Sequence, residues 1–354
     1  MPSRESKDFS MSEPMSSIRA AKLQKPFFVG VDVGGTNIKI GLVDATGQTL
    51  AYDSIRTEQD KGAEDACGRI ADEVQQLIDQ AGIAADGVAR VGLATPGPLD
   101  IPAGMILRPG NLPGWWDFPI RDRLSERIGL PVTFANDANA AAYGEYWLGA
   151  GAQFHSMVLL TLGTGVGGGI IVGDMLIEGS HSCGGECGHI VVDPRDDAPV
   201  DSAGIRGSLE VYANASAIVD RVTEALTTGE VSSLADRREA GDKITPLVVA
   251  EEAERGDKLA HRAVMVTAHW LAIGIATFVH TIDPNAVVLG GAMTFGGASH
   301  PLGREFLQRI RDEARQRMLE PLRDTVQIEF ASLGGDAGYF GAAGLARQEH
   351  RKSR

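Results

Sequence analysis

The sequence predicts an α/β protein made of two similar domains with a cleft between them. One pattern of strand, glycine turn, strand and second turn occurs twice, at 27–50 and at 156–178. Each copy is followed by helical patterns that alternate with short apolar runs, as in α/β domains. Since no Pro- or Ser-rich linker separates the halves, we expect a compact hinge and a ligand site in the interdomain cleft.

The two copies have the same order of elements. In the first, apolar residues alternate with small or polar ones from Phe27 to Leu50 around Gly34-Gly35-Thr36-Asn37. In the second, the turn Gly163-Thr164-Gly165 separates the strand-like runs Met157–Leu162 and Gly168–Val172. Alternation with a period of two predicts strands and the glycines predict the turns, so each copy is interpreted as a β-meander.

The remaining elements follow from periodicity. Short apolar runs predict strands at Val88–Ala94, Val132–Ala135 and Ala286–Leu289. Two helical stripes are interpreted as core and not as a cofactor site; they contain Ile70, Val74, Leu77 and Ile78, and Leu271, Ile275, Phe278 and Val279. A last helix is predicted over 336–349, where early Ala and Gly residues favour close packing against another element.

Composition excludes several classes of partner. The chain has 354 residues, 43% of them hydrophobic, which is enough for two domains. Its net charge of -14 would repel a phosphate backbone, so nucleic acid is not expected as a partner. The three cysteines, Cys67, Cys183 and Cys187, form no disulfide framework, which is typical of a reducing compartment.

The apolar runs predict no membrane span. The longest of them are judged short and strand-like, below the roughly 18 to 20 residues that a spanning helix needs. Residues 1–25 are rich in Ser, Met and charged side chains and have no apolar segment, so they predict a disordered tail and not a signal peptide. We therefore expect a cytoplasmic protein.

The glycine turns are candidates for phosphate binding. Gly163, Gly165 and Gly168 match G-x-G-x-x-G, but the chain continues as a strand through Val172, whereas a dinucleotide-binding turn opens a helix. A glycine turn can instead bring backbone N–H groups, and the Thr36 and Thr164 hydroxyls, close to phosphate oxygens. The alternative is a tight hairpin that requires positive φ.

Three glycine-containing motifs of the sequence resemble those of a known family. Asp32-Val-Gly-Gly-Thr-Asn-Ile-Lys39, Gly163-Thr-Gly-Val-Gly-Gly-Gly169 and Val288-Leu-Gly-Gly291 are similar to motifs of the ROK family (repressors, open reading frames, kinases). Its sugar kinases belong to the superfamily of actin, hexokinase and the heat-shock ATPases. The resemblance extends from Phe27 to about Arg347. It implies ATP-dependent phosphorylation of a hexose, with glucose as the expected substrate, and a homodimer.

The resemblance also implies the domain organisation and the nucleotide site. Two actin-like (ribonuclease H-like) domains are expected, a small one over 26–136, joined by the C-terminal helix 337–350, and a large one over 137–336. ATP and Mg2+ are the implied cosubstrate and cofactor, with polyphosphate still open as a donor. Asp32 is the expected indirect Mg2+ ligand. The residues expected to bind the nucleotide are Asp32, Gly34, Gly35, Thr36, Asn37, Lys39, Gly163, Thr164, Gly165, Gly290 and Gly291.

A candidate base follows a strand-like run. Phe134-Ala-Asn136-Asp137 leaves a strand and enters an Ala-rich helix, where an acid at the N-cap or in the first turn is favourable. Helix capping is therefore one interpretation of Asp137. In the kinases that this chain resembles, Asn136 would hydrogen-bond sugar hydroxyls and Asp137 would accept the proton of the attacking hydroxyl.

The remaining sugar contacts come from several segments. A selective sugar site needs donors and acceptors that converge. Glu186 and His189, in Gly185-Glu-Cys-Gly-His-Ile190, resemble the sugar loop of the family, and Glu210 resembles its second acidic contact. The other expected sugar ligands are Asn111, within 109–115, and Gly97.

The chain departs from the family pattern at its zinc site. Many ROK proteins bind zinc through a histidine and three cysteines, but the cysteine positions here hold Asp201, Ala203 and Ser208. One histidine without thiolates does not make the tetrahedral site that zinc prefers. We therefore expect no structural zinc and hydrogen bonds of the 193–208 loop in its place. A replacement site from Cys183, Cys187 and His189 is the alternative.

Three other functions are alternatives to the phosphorylation of glucose. A ROK repressor needs a helix-turn-helix ahead of the first strand, where only about 25 mostly polar residues stand. A non-catalytic sugar sensor would not need Asp32, Asp137 and both turns. A kinase for N-acetylglucosamine or N-acetylmannosamine is the closest alternative, because the same acidic contacts serve related sugars. The segment 109–119, with Trp115-Trp116, resembles glucokinases and favours glucose.

Overall fold

The computed structural model describes residues 23–354. The disordered tail predicted over 1–25 lies outside this range except for its last three residues. The strands are β1 Phe27–Val33, β2 Asn37–Val43, β3 Thr49–Arg56, β4 Val88–Thr95, β5 Leu99–Asp100, β6 Met105–Ile106, β7 Val132–Asn136, β8 Met157–Leu162, β9 Val166–Val172, β10 Met175–Leu176, β11 Ala286–Gly291 and β12 Gln327–Phe330. The helices are α1 Gly62–Gln80, α2 Ile120–Ile128, α3 Asp137–Leu148, α4 Leu209–Ala213, α5 Ala215–Thr227, α6 Ser233–Glu239, α7 Pro246–Glu254, α8 Lys258–Ile282, α9 Pro301–Arg317 and α10 Ala337–Lys352.

Two five-stranded sheets have the same topology. The first has the order β3-β2-β1-β4-β7 and the second the order β10-β9-β8-β11-β12. In each, three antiparallel strands form the meander and two parallel strands continue the sheet on the other side. The predicted repeat of strand and turn is therefore confirmed, and so is the mixed α/β class.

Each sheet has its own apolar core. One core contains residues of β1, β2, β4, α1 and α2, including the predicted stripe from Ile70 to Ile78. The other contains residues of β8, β11 and the helices α4 to α9, including Leu271, Ile275, Phe278 and Val279. Burying one such side chain contributes about 1.5–3 kcal/mol. Both stripes are confirmed as core.

Helix starts in the second half are fixed by side-chain caps. The Asp257 carboxylate accepts a hydrogen bond from the Ala260 N–H at 2.8 Å and so caps α8. Thr245 caps α7 in the same way, with Pro246 in its first turn. Such caps contribute typically about 1 kcal/mol each because they satisfy N–H groups that have no partner within the helix.

Helix α8 differs from the prediction that the longest apolar runs are short and strand-like. At 25 residues it is long and apolar enough to meet the length and composition criteria for a spanning helix, and 61% of its most apolar stretch is buried inside the fold. The expectation that all apolar runs are short is therefore wrong for this segment, although the helical stripe predicted from Leu271 to Val279 lies within α8. It packs against α9, α7, α5 and α4 in the core of the second half.

The two halves meet where α3 crosses α10. Helix α10 packs on the first sheet and α3 on the second. A Cβ at Gly341 would overlap the backbone of Ala140, and one at Gly144 would overlap the backbone of Ala337. Glycines therefore let the two helix backbones approach closely. The last helix predicted over 336–349 is found one residue later at its start and extends to Lys352.

Candidate active site

A cavity of about 310 Å3 lies at the junction of the two halves. Its walls include the end of β1 and the start of α10 from one half, and the first turn of α3 and the ends of β8 and β11 from the other. Five of the residues predicted for the site line it: Asp32, Gly34, Asp137, Gly290 and Gly291. The structure thus brings the candidate base and part of the predicted nucleotide site into one space.

The first glycine turn, 34–37, is held from behind by residues that follow β3. The Thr57 hydroxyl donates to the Gly34 carbonyl at 2.7 Å, and the Thr57 N–H donates to the Thr36 carbonyl at 2.9 Å. The Gln59 side chain donates to the Gly35 carbonyl. Because C=O and N–H point in opposite directions across a trans peptide, the N–H groups of residues 35–37 point away from this support. Successive N–H groups of this kind form a concavity suited to an anion.

Neither turn requires left-handed backbone. Left-handed φ values occur at many glycines of the chain, but Gly34, Gly35, Gly163 and Gly165 are not among them. The interpretation of these turns as hairpins that need positive φ is therefore wrong. Glycine at position 165 has a different reason, since a Cβ there would overlap the Glu210 carboxylate.

The second glycine turn, 163–165, is tied to the predicted sugar contacts. The Gly163 N–H donates to the Gly165 carbonyl at 3.0 Å and closes the turn, which also contains Thr164. The Val166 N–H donates to Glu210 Oε2 at 2.9 Å. The turn itself does not line the cavity of 310 Å3, although Thr161, two residues earlier, does.

The end of β11 completes the cavity wall beside β8. Gly291 is opposite Leu162 in the parallel pair of β11 and β8. Its φ of +88° is in the left-handed region, and a Cβ would overlap the Leu162 backbone, so both conformation and space require glycine there. Gly290 and Gly291 thus bring bare backbone to the cavity, which suits a flat ligand group.

Asp32 lies at the point where the first sheet meets α10. A Cβ at Gly338 would overlap the Asp32 carboxylate, so the carboxylate packs against the first turn of α10. Burial, and next the negative charge of Asp137, raise the pKa of Asp32 to about 7, and the nearby Lys39 opposes this rise. Lys39 itself donates to the Gly335 carbonyl and lies 3.6 Å from Asp336, outside the cavity lining.

The start of α3 holds the candidate base. Asn136, and not Asp137, is the N-cap, since its Oδ1 accepts from the N–H groups of Ala138 at 2.9 Å and Asn139 at 3.2 Å. Asp137 is the first residue of the helix, and its Oδ1 accepts from the Ala138 N–H at 2.8 Å. Burial raises the pKa of Asp137, the hydrogen bond from Ala138 opposes the rise, and the charge of Glu186 adds to it.

Two loops place further predicted residues beside these groups. The loop that carries Asn111 is anchored by Leu112 and Trp115, both fully buried in the first core. This puts the Asn111 carbonyl 3.6 Å from the place where a Gly35 Cβ would be. A Cβ at Gly97 would lie 3.5 Å from Asn136 Nδ2. Asn111 and Gly97 thus lie beside the first turn and the start of α3, although neither residue lines the cavity itself.

His189 is oriented by an aspartate. Its Nδ1 lies 3.0 Å from Asp201 Oδ2, and its Nε2 lies 4.0 Å from Glu186 Oε2. The Asp201 side chain is 1% exposed, and its Oδ1 accepts from the N–H groups of Ala203 at 2.9 Å and Ile205 at 2.8 Å. Burial would raise the pKa of Asp201, but these bonds, with those from Ser208 and His189, hold it below its usual range.

Three potential metal ligands lie together here, but no thiolate is among them. Potential ligand atoms of His189, Asp201 and Glu210 lie within 4.8 Å of one another, and neither Cys183 nor Cys187 belongs to this group. The Asp201 oxygens and Glu210 Oε2 already accept hydrogen bonds from the protein. The alternative of a site from two cysteines and His189 is therefore not supported, and the expected absence of a structural zinc stays a prediction.

Four residues that support the site through hydrogen bonds were not predicted from the sequence. Thr57 and Gln59 support the first turn, and no local pattern marks them. Asn139, one helical turn after Asn136, donates to the Gly184 carbonyl at 3.3 Å and so positions the sugar loop. Glu145 is fully buried, and its carboxylate accepts from the N–H groups of Ala150, Ser332 and Leu333 at 2.7–3.1 Å. Of these four residues, only Asn139 has a signal in the sequence, which is its spacing of three from Asn136.

Comparisons with known proteins show the family of this chain. The model of the ROK family matches residues 28–349. A glucokinase from Halalkalibacterium halodurans is 34% identical over 323 residues, which cover 91% of this chain and 96% of that protein.

Two solved structures are similar over nearly their whole length. A ROK hexokinase from Thermus thermophilus has a TM-score of 0.78 at 32% identity and covers 92% of this chain and 99% of its own. A ROK family glucokinase from Streptomyces griseus, in complex with glucose and AMPPNP, has a TM-score of 0.71 at 33% identity, with 91% and 99% covered. Because the family match spans most of the chain, this protein belongs to the ROK family.

Proposed function

We propose that this protein transfers the γ-phosphoryl group of ATP to a hydroxyl of glucose, giving glucose 6-phosphate and ADP. The observation that carries the proposal is the shared cavity, which Asp137 lines together with Asp32, Gly34 and Gly290-Gly291. A relative named glucokinase and a ROK glucokinase bound to glucose and AMPPNP support the substrate and the donor.

The residues divide between the two ends of the cavity. The phosphates bind the N–H groups of the first turn, and Gly290 and Gly291 face the nucleotide base, with Gly163, Thr164 and Gly165 on the other side. Glucose binds between the start of α3 and the sugar loop. Its contacts are Gly97, Asn111, Asn136, Asp137, Glu186, His189 and Glu210. In this division, Asp137 stands between two other carboxylates. Its charge raises the pKa of Asp32, and the charge of Glu186 raises the pKa of Asp137.

Asp137 acts as the general base. The sugar oxygen attacks the γ-phosphorus, the bond from that phosphorus to the bridging oxygen of ADP breaks, and the hydroxyl proton passes to the Asp137 carboxylate. Its raised pKa makes the carboxylate a better proton acceptor than an ordinary aspartate. The remaining acceleration comes from positioning and from the backbone N–H groups of the first turn.

The residues present fit a hydrated magnesium ion. Asp32 and Asp137 line one cavity, and the charge of Asp137 raises the pKa of Asp32. A divalent cation relieves such like-charge repulsion, and carboxylates and water are the ligands that Mg2+ prefers. Asp32 would hold the ion through water, and the ion would neutralise charge on the β- and γ-phosphates.

The architecture is that of two actin-like domains, with boundaries at 26–136 and 137–336 and with the helix at 337–350 added to the first. Separate cores in the two halves, and the packing of α10 on the first sheet, support this division. The crossing of α3 and α10 would be the hinge on which the cleft closes. A cytoplasmic homodimer is part of the same proposal.

A kinase assay tests the function. ADP release is measured with ATP and Mg2+ against glucose, fructose, allose, N-acetylglucosamine and N-acetylmannosamine, and glucose should give the highest kcat/KM. Asp137→Asn should lower kcat by about 10²-fold or more while glucose binding changes little. A preference for an N-acetylhexosamine would move the substrate to that class. Near-wild-type turnover of the variant would remove Asp137 from the role of base.

A second experiment tests the zinc-free sugar loop. Protein purified without added metal should contain no stoichiometric zinc, and EDTA in the presence of excess Mg2+ should leave its activity unchanged. Asp201→Ala should raise the KM for glucose by roughly 10-fold, because a hydrogen bond to a charged group is worth about 1.5–3 kcal/mol. The control Asp197→Ala changes an exposed carboxylate in the same loop. Loss of fold in EDTA would contradict the proposal.

A further inference from the structure

A second cavity, of about 490 Å3, lies on the other side of the α3–α10 pair. It shares no lining residue with the catalytic cavity. Aromatic side chains of α3 form one wall and cationic side chains of α10 form the opposite wall. We call it the α3–α10 pocket; its lining residues include Tyr143, Tyr146, Trp147, Arg347, Arg351 and Lys352.

Two of the three cations on this wall have no carboxylate partner among the described residues. Arg347 and Arg351 form no salt bridge with any carboxylate of residues 23–354. Lys352 lies 3.7 Å from Glu349 in an exposed pair, which is worth little. Asp174, the acid in the lining, already accepts from the Tyr146 hydroxyl at 2.8 Å and lies 2.8 Å from His155 Nδ1. Arg347 and Arg351 therefore remain two unpaired positive charges on a chain with a net charge of -14, whereas Lys352 lies near both Glu349 and Glu178.

The Arg347 side chain packs against the Trp147 ring and has no carboxylate partner among the described residues. Its guanidinium carbon lies 4.9 Å from the centroid of the Trp147 ring, a cation–π distance. Its Nε is buried and has no hydrogen-bond partner among the described residues. Burial, and next the charge of Arg351, lower the pKa of Arg347. An anion between the two guanidinium groups would relieve this repulsion and accept hydrogen bonds from their terminal N–H groups.

The lining indicates the class of ligand. Two arginines one helical turn apart suit a phosphate group, since their planar forks donate two hydrogen bonds each. Tyr146 and Trp147 offer apolar ring surface beside them, and the volume is within the range of small-molecule sites. We propose that the α3–α10 pocket binds a phosphorylated small molecule whose phosphate pairs with Arg347 and Arg351 and whose ring packs against the aromatic wall.

A ligand in this pocket contacts both halves of the protein. Helix α3 begins at Asp137 and packs on the second sheet, whereas α10 begins beside Asp32 and packs on the first. The walls of the pocket come from these same helices, beyond the crossing at Gly144 and Gly341. Since a bound ligand would contact both helices at once, it would favour one crossing angle, and the affinity for glucose would change with it.

Calorimetry tests the pocket with the catalytic cavity filled. Glucose 6-phosphate and inorganic phosphate are each titrated into wild-type protein that is saturated with glucose and AMPPNP. The variant Arg351→Gln/Lys352→Gln removes two exposed charges, so it should fold normally and bind at least about 10-fold more weakly. Arg262→Gln/Arg309→Gln removes two exposed charges on α8 and α9 and should bind as the wild type does.

The outcomes separate this inference from the proposed kinase activity. Tighter binding of glucose 6-phosphate than of phosphate would support a role for the aromatic wall, and the KM for glucose should shift in wild type but not in Arg351→Gln/Lys352→Gln. The proposal that the pocket binds a phosphorylated ligand would be overturned if the two double variants had equal affinities. It would also be overturned if the wild type bound neither probe at millimolar concentration. If glucose and AMPPNP themselves fail to bind, the proposed function fails, and phosphate titration of the free protein still decides the pocket.

Discussion

The two glycine turns have the same place in two sheets of the same topology, yet different groups support them. The first turn, 34–37, is supported by Thr57 and Gln59, from the segment that follows its own meander. The second turn, 163–165, is supported by the Glu210 carboxylate, from the start of α4. The position two residues before each turn also differs, with Asp32 in the first copy and Thr161 in the second.

This difference shows how a repeated local pattern acquires two roles. The first turn stands beside a buried acid, and the N–H groups of residues 35–37 point away from the Thr57 and Gln59 side, which suits the phosphates and their metal. The second turn follows a neutral hydroxyl and is bonded to a predicted sugar contact, so it links the two ends of the site. The following three predictions test this division of roles.

The largest expected effect concerns the acid that only the first copy has. With the folded pKa of Asp32 at about 7 and its ordinary value at 3.8, the folded state keeps the proton where the unfolded state has lost it. The resulting stabilisation is full below about pH 4 and is lost as the pH rises through about 7. In urea unfolding, the stability of wild type relative to Asp32→Asn should fall by roughly 3–4 kcal/mol from pH 4 to pH 8.

The second copy supplies the control for this measurement. Thr161→Val changes the corresponding position and removes no titrating group, so its stability relative to wild type should not vary with pH. A flat difference for Asp32→Asn as well would mean that the Asp32 carboxyl does not titrate differently on folding, and the contrast between the copies would lose its electrostatic basis.

An effect of intermediate size on stability is expected when a glycine of the second turn is replaced. A methyl group at position 165 would overlap the Glu210 carboxylate, whereas one at position 163 would meet open space. Gly165→Ala should therefore cost about 1–3 kcal/mol of stability and raise the KM for glucose, while Gly163→Ala should change stability by less than about 0.5 kcal/mol. Chemical denaturation and kinetics of the matched pair measure this. Equal effects would show that Glu210 does not support the turn.

The smallest effect concerns the support of the first turn. Thr57→Val keeps the shape of a fully buried side chain but leaves the Gly34 carbonyl without its donor at 2.7 Å. We expect a loss of about 1 kcal/mol in stability and a several-fold rise in the KM for ATP, with the KM for glucose unchanged. A change confined to the KM for glucose would contradict the assignment of this turn to the phosphates.

Much of the candidate site could be predicted because local rules determine it. The strands around each turn follow from alternation with a period of two, and the start of α3 follows from Asn136 and an Ala-rich run. The Asp201–His189 pair could not be predicted, because a carboxylate in a loop has no periodicity that names its partner. The helical stripe of α8 was predicted, but its full length was not, because His261, Arg262 and His269 interrupt the apolar run in the sequence.

The sequence by itself determined the elements, their repeated order and the glycine positions, since each depends on neighbours within a few residues. The tertiary structure alone decided which groups support them and what the two halves share. Glu145 hydrogen-bonds Ser332, 187 positions away, and Thr57 reaches Gly34 across 23. Such contacts depend on how the sheets and helices pack as whole units, so no local pattern of residues specifies them.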